Sequence, residues 1–452
     1  MPKTVSANKS EQQLRSINDL LDSGTLASVG NLISALHPAE IAHLLEALKP
    51  DDRNIVWGLV PSKLVGEVLV ELNDEVRSGL IEATDAVDLI DAVESLETDD
   101  LVDLLKDFPA VILNKVLESM DLQDRKRLES VLSYDDDSAG GLMSLDTLTI
   151  RADVDLDVVL RYLRLRGEMP AATDKLLVVD RSDNFLGVLP LAILLTNDPQ
   201  QTVKQLMLTD VYAIPVDMPS AEVAILFEQR DLLSAPVISE AGILLGRITI
   251  DDVVDVIRDE VDHSLMSMVG LDEEQDMFAP VMLSAKRRAV WLGVNLCTAL
   301  LASFAIGMFE ATLEKFVALA ILMPIVASMG GIAGSQTLTL VIRGLALRQI
   351  GTTNAAVLVI RELAIGVING LLWAFVVAVL AGIWFNSASL GYLIGAALVI
   401  NLVCAALAGA TIPLFLQRIG VDPALAGGVL LTTVTDVVGF VAFLGLASMY
   451  LS

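Results

Sequence analysis

Two cysteines in 452 residues, Cys297 and Cys404, both in apolar stretches, leave no disulfide framework, and the polar part of the chain fits a reducing compartment. Three histidines, His37, His43 and His263, include no pair at a usual ligand spacing, which argues against a zinc site. Met1 to Leu14 is polar and lacks an apolar core, so no cleavable signal peptide is expected. The sequence has no glycine-rich loop ending in Lys-Ser/Thr, no serine elbow and no His/Cys pair, so no enzyme activity is expected. Basic residues are also scarce: 30 Lys and Arg stand against 58 Asp and Glu, a net charge of −28.

The charge is unevenly placed. From Lys286 onward there are eight basic and five acidic residues, so residues 1–285 carry −31 and the remainder +3. A nucleic-acid binder is excluded, because −31 repels phosphate. With 54% hydrophobic residues and a mean hydropathy of +0.63, the chain reads as an acidic soluble part in front of a membrane part.

Five apolar spans follow Arg288, near 289–309, 316–342, 363–385, 390–416 and 424–451, each long enough for the ~20 residues a bilayer requires. Lys286, Arg287, Arg288, Arg343, Arg348, Arg361 and Arg418 fall on one side of these spans and only Lys315 on the other. That bias puts the N-terminal part in the cytoplasm and the C-terminus outside.

Residues 10–135 read as short helices, with apolar residues recurring at three and four (Ile41, Leu44, Leu45, Leu48; Leu101, Leu104, Leu105) and turns such as Lys49-Pro50-Asp51-Asp52. A stacked helical array is the reading, whose plain role is packing or partner contact. From residue 137 the period changes. Leu176–Asp180 with Phe185–Leu189, then Ala235–Ile238 with Leu244–Ile250, form an internal repeat in which Gly187 and Gly246 are equivalent. The repeat resembles a tandem pair of CBS modules. The second copy keeps the typical tail as Gly246, Thr249 and Asp251, whereas the first has Pro190 and Ala192 there. By that resemblance, adenine nucleotide such as ATP is a ligand at the second copy only. Asp251 opens the following helix either as its N-cap or as a ribose contact.

Inside the apolar spans the polar residues are few. Asp436 sits mid-span in Thr432-Thr433-Val434-Thr435-Asp436, and a lone acid there costs roughly 2.5–3.5 kcal/mol. No intramembrane Lys or Arg neutralises it in this reading, which favours a cation beside it over a neighbouring helix as its partner. In the second span, Pro324 and Gly330-Gly331-Ile332-Ala333-Gly334-Ser335-Gln336 suggest a broken helix lining a cavity, against the alternative of glycines for close packing. Asn401, and Asn369 with it, would add oxygens or bridge helices.

With these parts in this order, the chain resembles the MgtE family of magnesium channels. The motifs that carry the likeness are Gly330-Gly331-x-x-Gly334-x-Gln336, Asp422-Pro423-Ala424-Leu425-Ala426 with Thr435-Asp436-Val437, and Tyr134-Asp135 with Asp137-Ser138-Ala139-Gly140. Arg287-Arg288 followed by Trp291-Leu292-x-Val294-Asn295-Leu296 belongs with them. The resemblance implies a multidomain fold: an all-α array (1–136), α/β tandem CBS modules (137–262), a plug-like linker helix (263–285) and an all-α membrane domain of five spans (286–452). It implies a homodimer in the inner-membrane bilayer with its pore between two membrane domains, Asp436 holding hydrated Mg²⁺, and Gly330, Gly331, Gln336 and Asn401 around it. It further implies a cytosolic Mg²⁺ sensor in which Asp99, Asp100 and Asp103 of the array face Asp231, Asp252, Asp255 and Glu260. Ile332 stands where the family more often has asparagine, and Gly428-Val429 where it has Gly-Pro, so one oxygen near the ion is lost. The alternatives are another divalent ion, such as Mn²⁺ or Co²⁺, or a non-conducting, membrane-anchored nucleotide sensor.

Overall fold

The computed structural model describes residues 9–451, apart from 23–24, 94–95, 97, 120–124, 126–127, 129, 272–274 and 352. Two compact units emerge, one of residues 1–261 with 274–279, the other of 262–273 with 280–452.

The first unit begins with short helices from Lys9–Asp22 to Ala110–Ser119. Proline or polar caps start several of them, as at Pro38–Glu46, where His37 and Glu40 form a reciprocal cap. Ile33, Ile41, Leu45, Leu69, Leu80 and Leu89, from five of these helices, are buried and fuse the array into one core. No helix of 8–10 residues is stable alone, so that shared core makes the array.

Two three-stranded sheets follow, β1 (Thr149–Arg151), β2 (Lys175–Val179), β3 (Phe185–Pro190) and β4 (Ile214–Pro215), β5 (Ser234–Ile238), β6 (Leu244–Thr249). In each, the first strand is parallel to the second and the second antiparallel to the third. Gly187 pairs with Val178 and Gly246 with Val237, and a bulge follows each partner. The two glycines have one reason. A Cβ on Gly187 would lie 2.3 Å from the carbonyl oxygen of Leu208, and one on Gly246 would lie 2.6 Å from that of Ser144. At both sites a crossing backbone exchanges two hydrogen bonds with the next residue, Val188 with Leu208 and Arg247 with Ser144. Strands β1 and β4 escape the sequence reading because three and two residues are too few to show alternation.

A segment just before the membrane helices returns to the array. The Asp276 carboxylate, 6% exposed, accepts from Arg53 Nη1 at 2.8 Å and from Arg53 Nη2 at 3.0 Å, and its N–H donates to Glu75 at 2.8 Å. Arg53 also donates to the carbonyls of Leu45 and Leu48.

Among the described residues, the second unit has five helices long and apolar enough to cross a membrane: Val281–Gly307, Val317–Ala346, Ala355–Trp384, Ala388–Arg418 and Pro423–Leu451. The fourth is the most enclosed, packed between the second, third and fifth. Three sequence expectations change here. The second helix is continuous from 317 to 346 despite Pro324, because Gly330 and Gly334 serve helix contacts rather than a break. A Cβ on Gly409 would lie 2.7 Å from the carbonyl oxygen of Gly334, so those two helices touch backbone to backbone. The third span begins at Ala355, eight residues before the expected boundary, and takes Arg361 and Glu362 into the helix. The expected linker helix 263–285 is divided: 263–267 end the helix Ile250–Ser267, the first apolar helix starts at Val281, and among the described residues between them no further helix appears. Met268, past that end, packs against a buried cluster that includes Leu338 of the second and Leu431 of the fifth apolar helix.

Candidate functional site: a polar groove on the second and fifth apolar helices

The second apolar helix turns one face outward at positions 328, 331, 332, 335, 336 and 339, a spacing of three and four. With Thr432 and Asp436 of the fifth helix, that face lines an open-sided groove of about 790 Å³. Asp436 lies 13 residues from the start of its helix, ~20 Å along the axis and so near mid-membrane. Its neighbours are hydroxyls and an amide: Ser328, Ser335, Thr339, Thr432 and Gln336. The donor set is hard oxygen with one carboxylate, suited to a cation that keeps much of its water. Because the helix is unbroken, its carbonyls stay in the helical ladder and the groove presents side chains. Ile332, 57% exposed, adds an apolar patch to the same wall.

Of the expected pore residues, the structure brings Asp436, Gly331 and Gln336 to one groove. Gly330 and Asn401 lie elsewhere. Asn401 is fully buried, its Nδ2 donates to the carbonyl of Val326 at 2.8 Å, and its Oδ1 has no hydrogen-bond partner. A Cβ on Gly330 would come within 2.2 Å of Asn401 Nδ2 and one on Gly439 within 2.7 Å, so both glycines make room for the amide. Asn401 bridges helices, and Gly330 is a packing residue beside it. Asn369 lines a different cavity, with Glu362. Sequence reading passed over Glu362, which is 3% exposed in the third helix. Its signal was the eight-residue helical continuation upstream of 363.

In the first unit, the tail of the second module folds into a helix start. Thr249 is the residue before the helix Ile250–Ser267, and its N–H donates to Asp252 Oδ2 at 3.0 Å. The Thr249 hydroxyl contacts Asp252 at 2.9 Å and also Asp251. The capping carboxylate is therefore Asp252 and not Asp251, a T-x-x-D arrangement. Asp251 stays exposed, and Gly246 is buried in β6.

Burial pushes Asp252 up to about 6, opposed by the two Thr249 hydrogen bonds and reinforced by the charges of Asp251 and Asp100. Burial also raises Asp255, which lies 3.7 Å from Arg258. Asp100 of the array is thus within electrostatic reach of the second module's acids. The side chains of Asp99 and Asp103 lie outside the described residues. Asp231 ends its helix in a left-handed conformation (φ 51°), and Glu260 is exposed. Among the described residues, no three acidic, histidine or cysteine side chains gather as a metal cluster.

A pH dependence follows. Asp252 binds its proton more tightly folded than unfolded, where the carboxyl titrates near ~4, so its ionisation opposes folding. Its contribution is favourable at low pH and is lost as pH rises from about 4 through about 6. Asp252→Asn, which keeps an acceptor for Thr249, should flatten that slope and raise the melting temperature at pH 7.5 but not at pH 4. Thermal unfolding of both proteins across pH 4–8 measures it, and parallel curves would refute the assignment.

Comparison with known proteins bears on the whole chain. Residues 323–446 match a family model described as a divalent cation transporter, 36–137 one described as the MgtE intracellular N domain, and 203–259 the CBS domain. The magnesium transporter MgtE of Thermus thermophilus is 32% identical over 445 residues, covering 96% of this chain and 98% of that one. The chain belongs to the MgtE family. A second MgtE-family relative, the magnesium transporter of Bacillus subtilis, is 27% identical, with 96% of each chain covered. Among solved structures, the cytosolic domain of the Mg²⁺ channel MgtE in complex with ATP is similar over 54% of this chain and 99% of that one, at 30% identity and a TM-score of 0.49.

Proposed function

We propose that this MgtE-family protein carries Mg²⁺ into the cytoplasm down its electrochemical gradient, along the groove that Asp436 lines. The observation that carries the proposal is an acid at mid-membrane depth among five oxygen- or amide-bearing side chains. Inward movement of a divalent ion gains about 4.6 kcal/mol per 100 mV, so no coupled reaction is needed. An open-sided polar groove cannot face lipid tails, and a second copy covering it gives a homodimer with a shared path. The loop charges orient the protein in the inner membrane with residues 1–285 in the cytoplasm and the C-terminus outside.

Regulation is read from the acids. Cytosolic Mg²⁺ between Asp252, Asp255, Glu260 or Asp231 and the array's Asp99, Asp100 and Asp103 would relieve repulsion of about 4 kcal/mol per pair at ~4 Å. The capping role of Asp252 leaves it able to bind through water, since only part of its lone-pair capacity is used. The helix Ile250–Ser267 carries Asp252 near its start, and Met268, just past its end, packs against the cluster that includes Leu338 and Leu431. Trypsin should cut residues 1–285 of the full chain more slowly with Mg²⁺ than with chelator. Neutralising Asp252, Asp255 and Glu260 together should abolish that difference, and equal cleavage of the wild type would refute the sensor.

ATP is proposed at the second module through Gly246, Thr249 and Asp251. The exposed Asp251 carboxylate, fixed by the Thr249 hydroxyl, fits ribose hydroxyls, and the ligand would act by ordering the module. Calorimetry on the full chain should show ATP binding that Asp251→Ala weakens at least tenfold and a change at Ala192 leaves alone.

Uptake into liposomes with Mg²⁺, Mn²⁺, Co²⁺ and Ca²⁺ in turn tests the function. Mg²⁺ entry that follows the imposed potential supports it. A protein that passes none of the four is instead an anchored sensor.

A further inference from the structure

A second cavity in the membrane unit shares Gln336 with the groove. It measures about 220 Å³, and its polar lining is Gln336, Thr337, Arg361, Glu362 and Asn369. Glu362 Oε2 accepts from Thr337 Oγ1 at 3.2 Å, whereas Oε1 is buried without a hydrogen-bond partner. Arg361 Nη1 stands 3.6 Å from Oε1, beyond hydrogen-bond length, on a side chain that is 65% exposed. A carboxylate oxygen held at this depth by one long ion pair and no hydrogen bond is costly, and packing does not require it, since Gly366 makes the contact with Ala406. Asn369 follows Glu362 by two turns on the same helix face. Glu362 lies seven residues from the cytoplasmic start of its helix, ~10 Å in, against ~20 Å for Asp436.

We propose that the Glu362 cavity is a second cation site, which takes the hydrated divalent ion from the Asp436 groove past Gln336 before release to the cytoplasm. The inference rests on the transport reading above. At ~30 Å³ per water the cavity holds roughly seven waters, room for an ion with a six-water shell. One carboxylate oxygen, one hydroxyl and two amides are the hard donors such a shell hydrogen-bonds. Arg361 acts as a tethered counter-cation. An arriving ion displaces its guanidinium into water, and its return to Glu362 expels the ion. A site that binds and then releases in this way satisfies the need for weak sequential sites in a conducting path.

The test is Mg²⁺ uptake by the full chain in liposomes as a function of external Mg²⁺. Glu362→Gln should raise the half-saturating concentration at least tenfold. Arg361→Gln, at an exposed position that tolerates change, should lower it several-fold and slow maximal uptake, because the ion is held longer. Opposite shifts support the site, and they are a signature that general damage to the fold would not give. If Glu362→Gln does not fold, the direction of the Arg361→Gln shift decides alone. Shifts in the same direction, or an unchanged Glu362→Gln beside an active wild type, overturn the site and leave the transport reading intact. A wild type that carries no divalent ion overturns both.

Discussion

Asp436→Ala should abolish Mg²⁺ uptake while leaving the protein folded. With one water between them, charges of −1 and +2 about 5 Å apart attract by roughly 7 kcal/mol at an effective dielectric of about 20. Losing half of that lowers occupancy more than a hundredfold, at about 1.4 kcal/mol per factor of ten. Removing the acid also removes an insertion cost of about 2.5–3.5 kcal/mol, so expression and melting temperature should hold or rise. Asp436→Asn keeps the shape and an oxygen and should retain a small residual rate. Initial uptake rates at fixed potential, beside circular dichroism on the same preparations, separate loss of conduction from loss of fold. An alanine variant that conducts at the wild-type rate would place the path elsewhere.

Asp276→Ala should destabilise the helical array by about 3–5 kcal/mol, the usual cost of stranding one partner of a buried ion pair. The Arg53 guanidinium would remain 6% exposed, with the carbonyls of Leu45 and Leu48 as acceptors and its bidentate carboxylate gone. Replacing both residues, Arg53→Met with Asp276→Leu, should recover most of the loss, since a well-packed apolar pair replaces a buried ion pair at little cost. Urea unfolding followed by circular dichroism reads the difference, and backbone exchange at 275–279 should rise in the single variant only. A change below about 1 kcal/mol would show that the pair behaves as an exposed one.

How much of this was legible in the sequence depends on whether a feature is periodic or relational. The five apolar helices and the repeated Gly187 and Gly246 declare themselves, the first by length and composition, the second because each glycine recurs at the same strand position for the same crossing. Asp436 was legible because an acid in an apolar run has no local explanation. Glu362 was not, since Arg361 beside it made the pair look like a loop, and only Thr337, 25 residues away in sequence, shows that the acid is inside. Asn401 and Gly330 were read toward the ion because amide and glycine suit a cavity as well as a helix contact. Their 2.2 Å approach is a tertiary fact. The capping role of Asp252 was not read, although its partners are the hydroxyl and N–H of Thr249 three residues back, a spacing visible in the sequence but overshadowed by Asp251 beside it.

The unbroken second helix has an evolutionary corollary. A filter built of backbone carbonyls is nearly blind to side-chain replacement, so its preference among ions is inherited with the fold. In the proposed path the wall is made largely of the side chains of Ser328, Ile332, Ser335, Gln336 and Thr339, replaceable without disturbing the main chain. Ile332, 57% exposed on that wall, is the position where such a replacement would act most directly. Under the proposed function, preference among Mg²⁺, Mn²⁺ and Co²⁺ then rests on these side chains and not on the main chain. A substitution at 332, 335, 336 or 339 is expected to change it while the backbone stays the same.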